Sequence, residues 1–169
     1  AAVFDPDRNA IHVAYVRTQG ASTGIAVTTS ADFGATWSRP VFVTPADILP
    51  DSAPHIAATD GRVIVVYEHG NAAEGTDVGL ALSSDSGRRW TTGASWASSL
   101  APESCPDIRA SDGPGAPEFF ASYIEAGRQV RVMSSRSSTP GSWTTEGTFP
   151  GAGGPALVGS AIVLLVPGR

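Results

Sequence analysis

Lysine is missing from the chain altogether: all 11 basic residues among its 169 are arginines, set against 16 aspartates and glutamates for a net charge of −5. With a sequence pI near 5.0, a broad nucleic-acid-binding face or an anionic-membrane anchor is excluded. Cysteine is almost as scarce. The single Cys105 rules out an intrachain disulfide framework and a multi-cysteine zinc site, and leaves its own redox state open. Long apolar runs are absent too: the longest near the C-terminus, Ala161 to Val166, has the length of a strand, so no membrane insertion is expected. The opening Ala1-Ala2-Val3-Phe4-Asp5 lacks the basic and long apolar regions of a secretory signal. Either a signal was removed or the segment is internal in its parent. Helix signals are missing as well, because every window of about twelve residues with a 3.6-residue apolar period is broken by Gly or Pro. The 41% of apolar residues still suffices for a sizeable core, and the 19 glycines and 13 prolines suit short strands joined by frequent turns.

A repeat organises these residues. Trp37, Trp90 and Trp143 stand 53 residues apart. In phase with them lie Pro54-His55-Ile56-Ala57, Pro106-Asp107-Ile108-Arg109-Ala110 and Pro155-Ala156-Leu157-Val158, and Tyr15, Tyr67 and Tyr123 each close an apolar run. Each unit predicts four strands. The first strands are Ala2–Phe4, His55–Ala58, Ile108–Ser111 and Ala156–Val158; the second are Ile11–Val16, Val63–Tyr67, Glu118–Tyr123 and Ile162–Val166. The third are Gly24–Thr29, Val78–Ser83 and Gln129–Ser134, and a fourth follows each tryptophan, for example Pro40–Thr44. A period of about 50 residues carrying four strands is that of a β-propeller blade. The expected fold is therefore all-β, a propeller segment with blades over roughly 1–46, 47–99 and 100–149 and a partial blade over 150–169. A sandwich would give no reason for the tryptophan spacing. A closed ring of six or seven blades needs about twice this length, so the remaining blades are expected from a longer chain or another subunit.

Between the third and fourth strands stand Ser30-Ala31-Asp32-Phe33-Gly34-Ala35-Thr36-Trp37 and Ser83-Ser84-Asp85-Ser86-Gly87-Arg88-Arg89-Trp90, both Ser-x-Asp-x-Gly-x-x-Trp. In a tight hairpin the carboxylate accepts backbone N–H bonds, the glycine supplies positive φ, and the tryptophan folds back as an apolar lid. The motif resembles the Asp-box, or bacterial neuraminidase repeat, of the sialidase-like propellers. In the third unit it has decayed: read from Ser134, it keeps Ser and Trp143, but Arg136 takes the place of Asp and the loop is longer. The resemblance implies that the boxes (Ser30, Asp32, Gly34, Trp37, Ser83, Asp85, Gly87, Trp90 and Trp143) are structural and face away from the substrate side. It also implies a secreted or periplasmic location.

Function is expected on the opposite loops, which join strands two and three and successive blades. They carry Asp51, Glu68, His69, Glu74, Glu103, Asp107, Glu125 and Arg128. Acids and arginines facing each other across a funnel can clamp a sugar carboxylate or do acid–base work. As catalytic candidates stand Arg109, Glu68, Asp51 and Asp107; His69, Glu74, Glu103, Glu125 and Arg128 are candidates for binding. Arg109 stands out because the equivalent strand position of the second unit holds Ala58, and a charge on an inner strand can face the channel. The resemblance to sialidases implies three arginines on the substrate carboxylate, a Tyr–Glu nucleophile pair and an Asp acid. The Phe/Tyr-Arg-Ile-Pro segment usual in that family is absent, and Tyr67 before Glu68 sits in the packing position of Tyr15 and Tyr123. Gly20-Ala21-Ser22-Thr23-Gly24 lacks the strand–turn–helix context of a nucleophile elbow. Asp5-Pro6-Asp7-Arg8-Asn9 lacks the Gly and Glu of a calcium loop. His12, His55 and His69 have no ligand spacing, so neither metal nor cofactor is expected. The leading expectation is a non-catalytic binding or scaffold module with a carbohydrate or protein partner. The alternatives are part of a glycoside hydrolase and a structural subunit of a larger assembly.

Overall fold

The computed structural model describes residues 1–44, 53–71, 75–97, 101–111, 119–136, 143–150, 155–158 and 161–164. Among them every regular element is a strand. β1 (Ala2–Asp5), β2 (Ala10–Gln19), β3 (Ser22–Ser30) and β4 (Val41–Phe42) form the first antiparallel meander; β5 (His55–Thr59), β6 (Arg62–Asn71), β7 (Gly75–Ser83) and β8 (Thr91–Ala97) form the second. β9 (Glu103–Ala110), β10 (Phe119–Glu125), β11 (Gln129–Ser135) and β12 (Thr144–Pro150) form the third, and β13 (Pro155–Val158) pairs with β14 (Ala161–Leu164). The first strands β1, β5, β9 and β13 adjoin one another in that order, so the sheets follow each other round a common axis as propeller blades with the first strand innermost. The joins expected near residues 46 and 99 lie outside the described residues.

Among the described residues the two largest apolar clusters are seams between blades. Ala14, Ile25, Val27 and Val43 of blade 1 meet Ile56, Val63, Val65 and Tyr67 of blade 2. Ile64, Val66, Leu80 and Leu82, on the other face of blade 2, meet Ile108, Phe119 and Ala121 of blade 3. Strand β6 thus alternates between two seams, and Val63 to Tyr67 are all fully buried. Its apolar run is unbroken because both faces of its sheet are covered. The Tyr67 ring lies over Gly79, its cross-strand partner, where an added Cβ would come within 2.4 Å of the ring.

The strand pairing corrects two alignments made from sequence. Arg109 opposes Phe120 and Ala57 opposes Ile64, so the residue equivalent to Arg109 is Ala57, and Ala58 matches Ala110. Ser135 opposes Phe119 as Ser30 opposes Ile11 and Ser83 opposes Val63, which makes Ser135, not Ser134, the counterpart of the turn serines. Ser134 instead hydrogen-bonds Glu146, and residues 137–142 of that turn lie outside the description. Strands also run further than expected. β9 starts at Glu103 rather than Ile108, and the second hairpin keeps pairing to Asn71 and Gly75, because a flat polar edge can continue a ladder with no apolar side chain to mark it.

The turns between third and fourth strands are closed by their carboxylates. The Ser30 hydroxyl donates to Asp32 Oδ1 at 2.8 Å and accepts from Gly34 N at 2.8 Å, and Asp32 accepts from Thr36 N at 2.8 Å and Thr36 Oγ1 at 2.5 Å. In blade 2 the Asp85 Oδ1 accepts from Ser83 Oγ, Arg88 N and Arg89 N at 2.9, 3.1 and 2.8 Å. Positive φ is shared by the residue before each glycine, Phe33 at 56° and Ser86 at 57°. The tryptophans differ. Trp90 packs on the seam between blades 1 and 2, and Trp143 on the seam between blades 2 and 3. Trp37 has no such seam among the described residues and is 45% exposed. Trp90 and Trp143 each close the seam in front of their own blade.

Hydrogen bonds to Asp32 and Asp85 hold both carboxyls below their ordinary value of 3.8; side-chain and backbone bonds from Thr36 lead at Asp32, and the backbone N–H of Arg89 at Asp85. A depressed folded-state pKa means that the unfolded chain takes up the proton first, so this stabilisation is complete above about pH 4 and is lost as the pH falls through the folded-state values. Denaturant unfolding of the full-length protein at pH 5 and pH 3 is expected to show a smaller loss of stability in the D32N/D85N variant than in the parent; equal losses would disprove the assignment.

Candidate functional site

In a meander of this kind, the ends of the blades alternate. The β1–β2 and β3–β4 turns share one face, and the β2–β3 turn and the inter-blade join share the other. On the second face, two polar groups stand on the inner strands. The Asp107 Oδ1 accepts from His55 Nδ1 at 2.9 Å, from Arg109 Nη1 at 3.0 Å and from its own neighbour's N–H, that of Ile108, at 2.9 Å. Asp107 is buried, while the side chains of His55 and Arg109 are 43% and 45% exposed. The geometry follows from strand alternation. Ile108 packs into the seam with blade 2, so Asp107 and Arg109 leave β9 on the other side, and the carboxylate folds back to meet His55 on the neighbouring inner strand. Arg109 Nη1 also donates to the Ile108 carbonyl at 2.8 Å, a second contact that restricts the guanidinium.

The second group lies where β9 is bulged. Cys105 and Pro106 together oppose Tyr123, and Cys105 takes φ 52°. Its N–H is turned out of the ladder and donates to Glu68 Oε1. Beyond the bulge, Glu103 and Glu125 stand directly across from one another. Like charges in such a pair repel, and Arg131 offsets the repulsion by donating from Nε and Nη2 to Glu125 Oε2 at 2.9 and 2.7 Å. That hydrogen bonding pushes the Arg131 guanidinium pKa up. Tyr123 beside it is pushed up by burial and by Glu125 and Glu103, with Arg131 acting against them. His69 is buried opposite Asp77, with its ring 5.9 Å from that of Tyr67.

Of the residues singled out from sequence, Arg109 and Asp107 come together. Glu68 braces the bulge, Glu103 and Glu125 form the cross-strand pair, and His69 lies buried at the hairpin end. Glu68, His69, Glu103 and Glu125 are strand residues rather than loop residues. Arg128 stays exposed in the β10–β11 turn. Asp51 and Glu74 lie outside the described residues. The sequence reading missed His55 and Arg131. His55 occupies the repeat position of Asp107, since His55 opposes Val66 where Asp107 opposes Ser122; two polar residues at one tier of adjacent inner strands was the available signal. Among the described residues no three His, Cys, Asp or Glu side chains are grouped to hold a metal ion, and no helix is long and apolar enough to cross a membrane.

Comparison with known proteins places the fold. No protein-family model matches the sequence, and no curated protein matches it significantly. Among solved structures, an exo-β-1,3-galactanase from Phanerochaete chrysosporium, crystallised with β-1,3-galactotriose, superposes at a TM-score of 0.56 and 15% identity over 90% of this chain and 42% of its own. The sialidase of Trypanosoma rangeli superposes at 0.56 and 12% over 96% and 33%. A variant of the NanB sialidase from Streptococcus pneumoniae gives 0.51 and 14% over 79% and 20%. The chain has a sialidase-like β-propeller fold and spans less than half the length of these structures.

Tyr67 is a poor nucleophile in this setting. It is fully buried, its hydroxyl has no hydrogen-bond partner among the described residues, and burial pushes its pKa to about 12. Replacing Tyr67 by Phe removes an unsatisfied buried hydroxyl and is expected to leave the stability of the full-length protein unchanged or raised by about 1 kcal/mol, with ligand binding retained. A loss of more than about 1 kcal/mol in denaturant unfolding would refute this.

Proposed function

We propose that the chain is part of a sialidase-like propeller that binds a glycan at the inner-strand end of its loop face without turning it over, presented outside the cytoplasm. The observation that carries this reading is the His55–Asp107–Arg109 group. A buried carboxylate orients a half-exposed imidazole and a half-exposed guanidinium side by side, an arrangement that offers fixed donors to sugar hydroxyls or to a sugar carboxylate. Against catalysis stands Tyr67, locked in a seam. The fold neighbours act on or bind glycans by their names, one a galactanase with galactotriose and two sialidases; at their level of identity they support the fold and leave the ligand to experiment. The expected outcome for the full-length protein on a panel of immobilised galactosides and sialosides is saturable binding that falls at least tenfold in Arg109→Ala and in Asp107→Asn, with no release from fluorogenic substrates. Turnover of a fluorogenic sialoside or galactoside, lost in Arg109→Ala, would replace the binding module by a hydrolase.

The reading includes further blades, from a longer polypeptide or a second copy, covering the open face of blade 1. Phe4 and Phe33 stack there with ring centroids 6.1 Å apart and are 45% and 68% exposed, and Trp37 of the same blade is exposed as well. If a blade covers this face in the full-length protein, Trp37→Ala will cost about as much stability as Trp90→Ala, about 3–5 kcal/mol for a buried tryptophan. A cost under about 1 kcal/mol at Trp37 alone would show the face to be open in solution.

A further inference from the structure

The turn face, opposite the site proposed above, holds a cleft of about 700 Å³ between the hairpins of blades 1 and 2. It is lined by three arginines, Arg8, Arg39 and Arg88, against one carboxylate, Asp85. That carboxylate is committed to backbone N–H groups of its own turn. Asp5, Asp7 and Asp32 of blade 1 are spent in the same way, on Gly61 N at 2.8 Å, Asp60 N at 3.2 Å and Thr36 N at 2.8 Å. Arg8 pairs with Asp60 at 2.9 Å. Arg39 and Arg88 are exposed and make no side-chain hydrogen bond or ion pair among the described residues. In a chain of net charge −5, the closing of the turns thus consumes the local carboxylates and leaves guanidinium forks uncompensated. Hydroxyls line the same cleft: Thr29 Oγ1, 2.9 Å from His12 Nδ1, and Ser38 Oγ, which accepts from Thr29 N and so has its own proton to donate.

From these observations we infer that the cleft is a second binding site, for an acidic oligosaccharide bearing carboxylate or sulfate groups. Guanidinium forks match planar and tetrahedral oxyanions bidentately, the hydroxyls suit sugar ring substituents, and the overall negative charge of the chain disfavours a long, densely charged polyanion. The ligand takes one anionic group at Arg39 and another at Arg88, with Arg8 held beside them by Asp60.

The test is calorimetric titration of the full-length protein with a sulfated tetrasaccharide, a tetragalacturonate, a neutral tetrasaccharide, inorganic sulfate and a short DNA duplex. Expected is binding of one or both acidic tetrasaccharides, weakened by added salt, at least tenfold tighter than the neutral sugar or free sulfate. It should fall at least tenfold in R39A/R88A and in R39Q/R88Q, and be unchanged in Arg17→Ala at the β2–β3 end of blade 1, on the other face. Both double variants alter exposed side chains without partners among the described residues, and circular dichroism checks their folding. Absence of binding, binding equal for sulfate alone, DNA binding as tight as the sugar, or equal loss in Arg17→Ala would each overturn the proposal.

Discussion

A sheet with apolar residues on both faces is not stable alone in water, and everything else in this chain follows from the need to cover those faces. Blade 2 meets the requirement fully. Val63, Val65 and Tyr67 enter one seam and Ile64 and Val66 the other, each large side chain contributing about 1.5–3 kcal/mol by its burial. Once the blades stack, their inner strands must converge, and that convergence brings His55 to Asp107 across a blade boundary. The polar site is a by-product of apolar packing. The turns obey the same constraint from outside, since Asp5 of blade 1 caps the Gly61 N–H of blade 2 and ties the hairpin end of one sheet to the next.

The two faces of the stack use their charges in opposite ways. On the turn face, Asp5, Asp7, Asp32 and Asp85 accept backbone N–H groups, and Asp60 alone of the acids named there pairs with an arginine, Arg8. On the loop face, carboxylates meet arginine and histidine side chains directly, as at Asp107 and Glu125. An aspartate closing a turn is withdrawn from chemistry, whereas one shared by a half-exposed guanidinium and an imidazole orients groups that a ligand can reach.

Much of this was legible before any coordinates. The tryptophan period and the turn signature are local, and local chemistry writes itself into sequence; strand order and blade type follow from it. What stayed hidden depended on pairing. A β-ladder continues through polar residues as readily as through apolar ones, so Glu68, His69 and Glu103 read as loop although they are strand. A one-residue bulge at Cys105 carries no composition of its own, since the positive φ falls on a cysteine and not on the glycine or asparagine that marks such a position in a sequence. The alignment of Arg109 with Ala58, and of Ser134 with the turn serines, each slipped by one residue because adjacent small residues offer no landmark. Contacts between units, such as His55 with Asp107 or Glu125 with Arg131, require knowing which strands lie side by side.

The placement of the tryptophans gives each unit a direction. Trp90 and Trp143 close the seam ahead of their own blade, so every unit carries the plug for one interface and the socket for the next. A repeat built in this way can be copied in tandem without inventing a new contact, because the junction between two copies is already encoded within one. It also means that no single unit is self-sufficient, since each carries a plug for a seam that only a neighbour completes, and ring closure is the one arrangement in which every plug meets its socket.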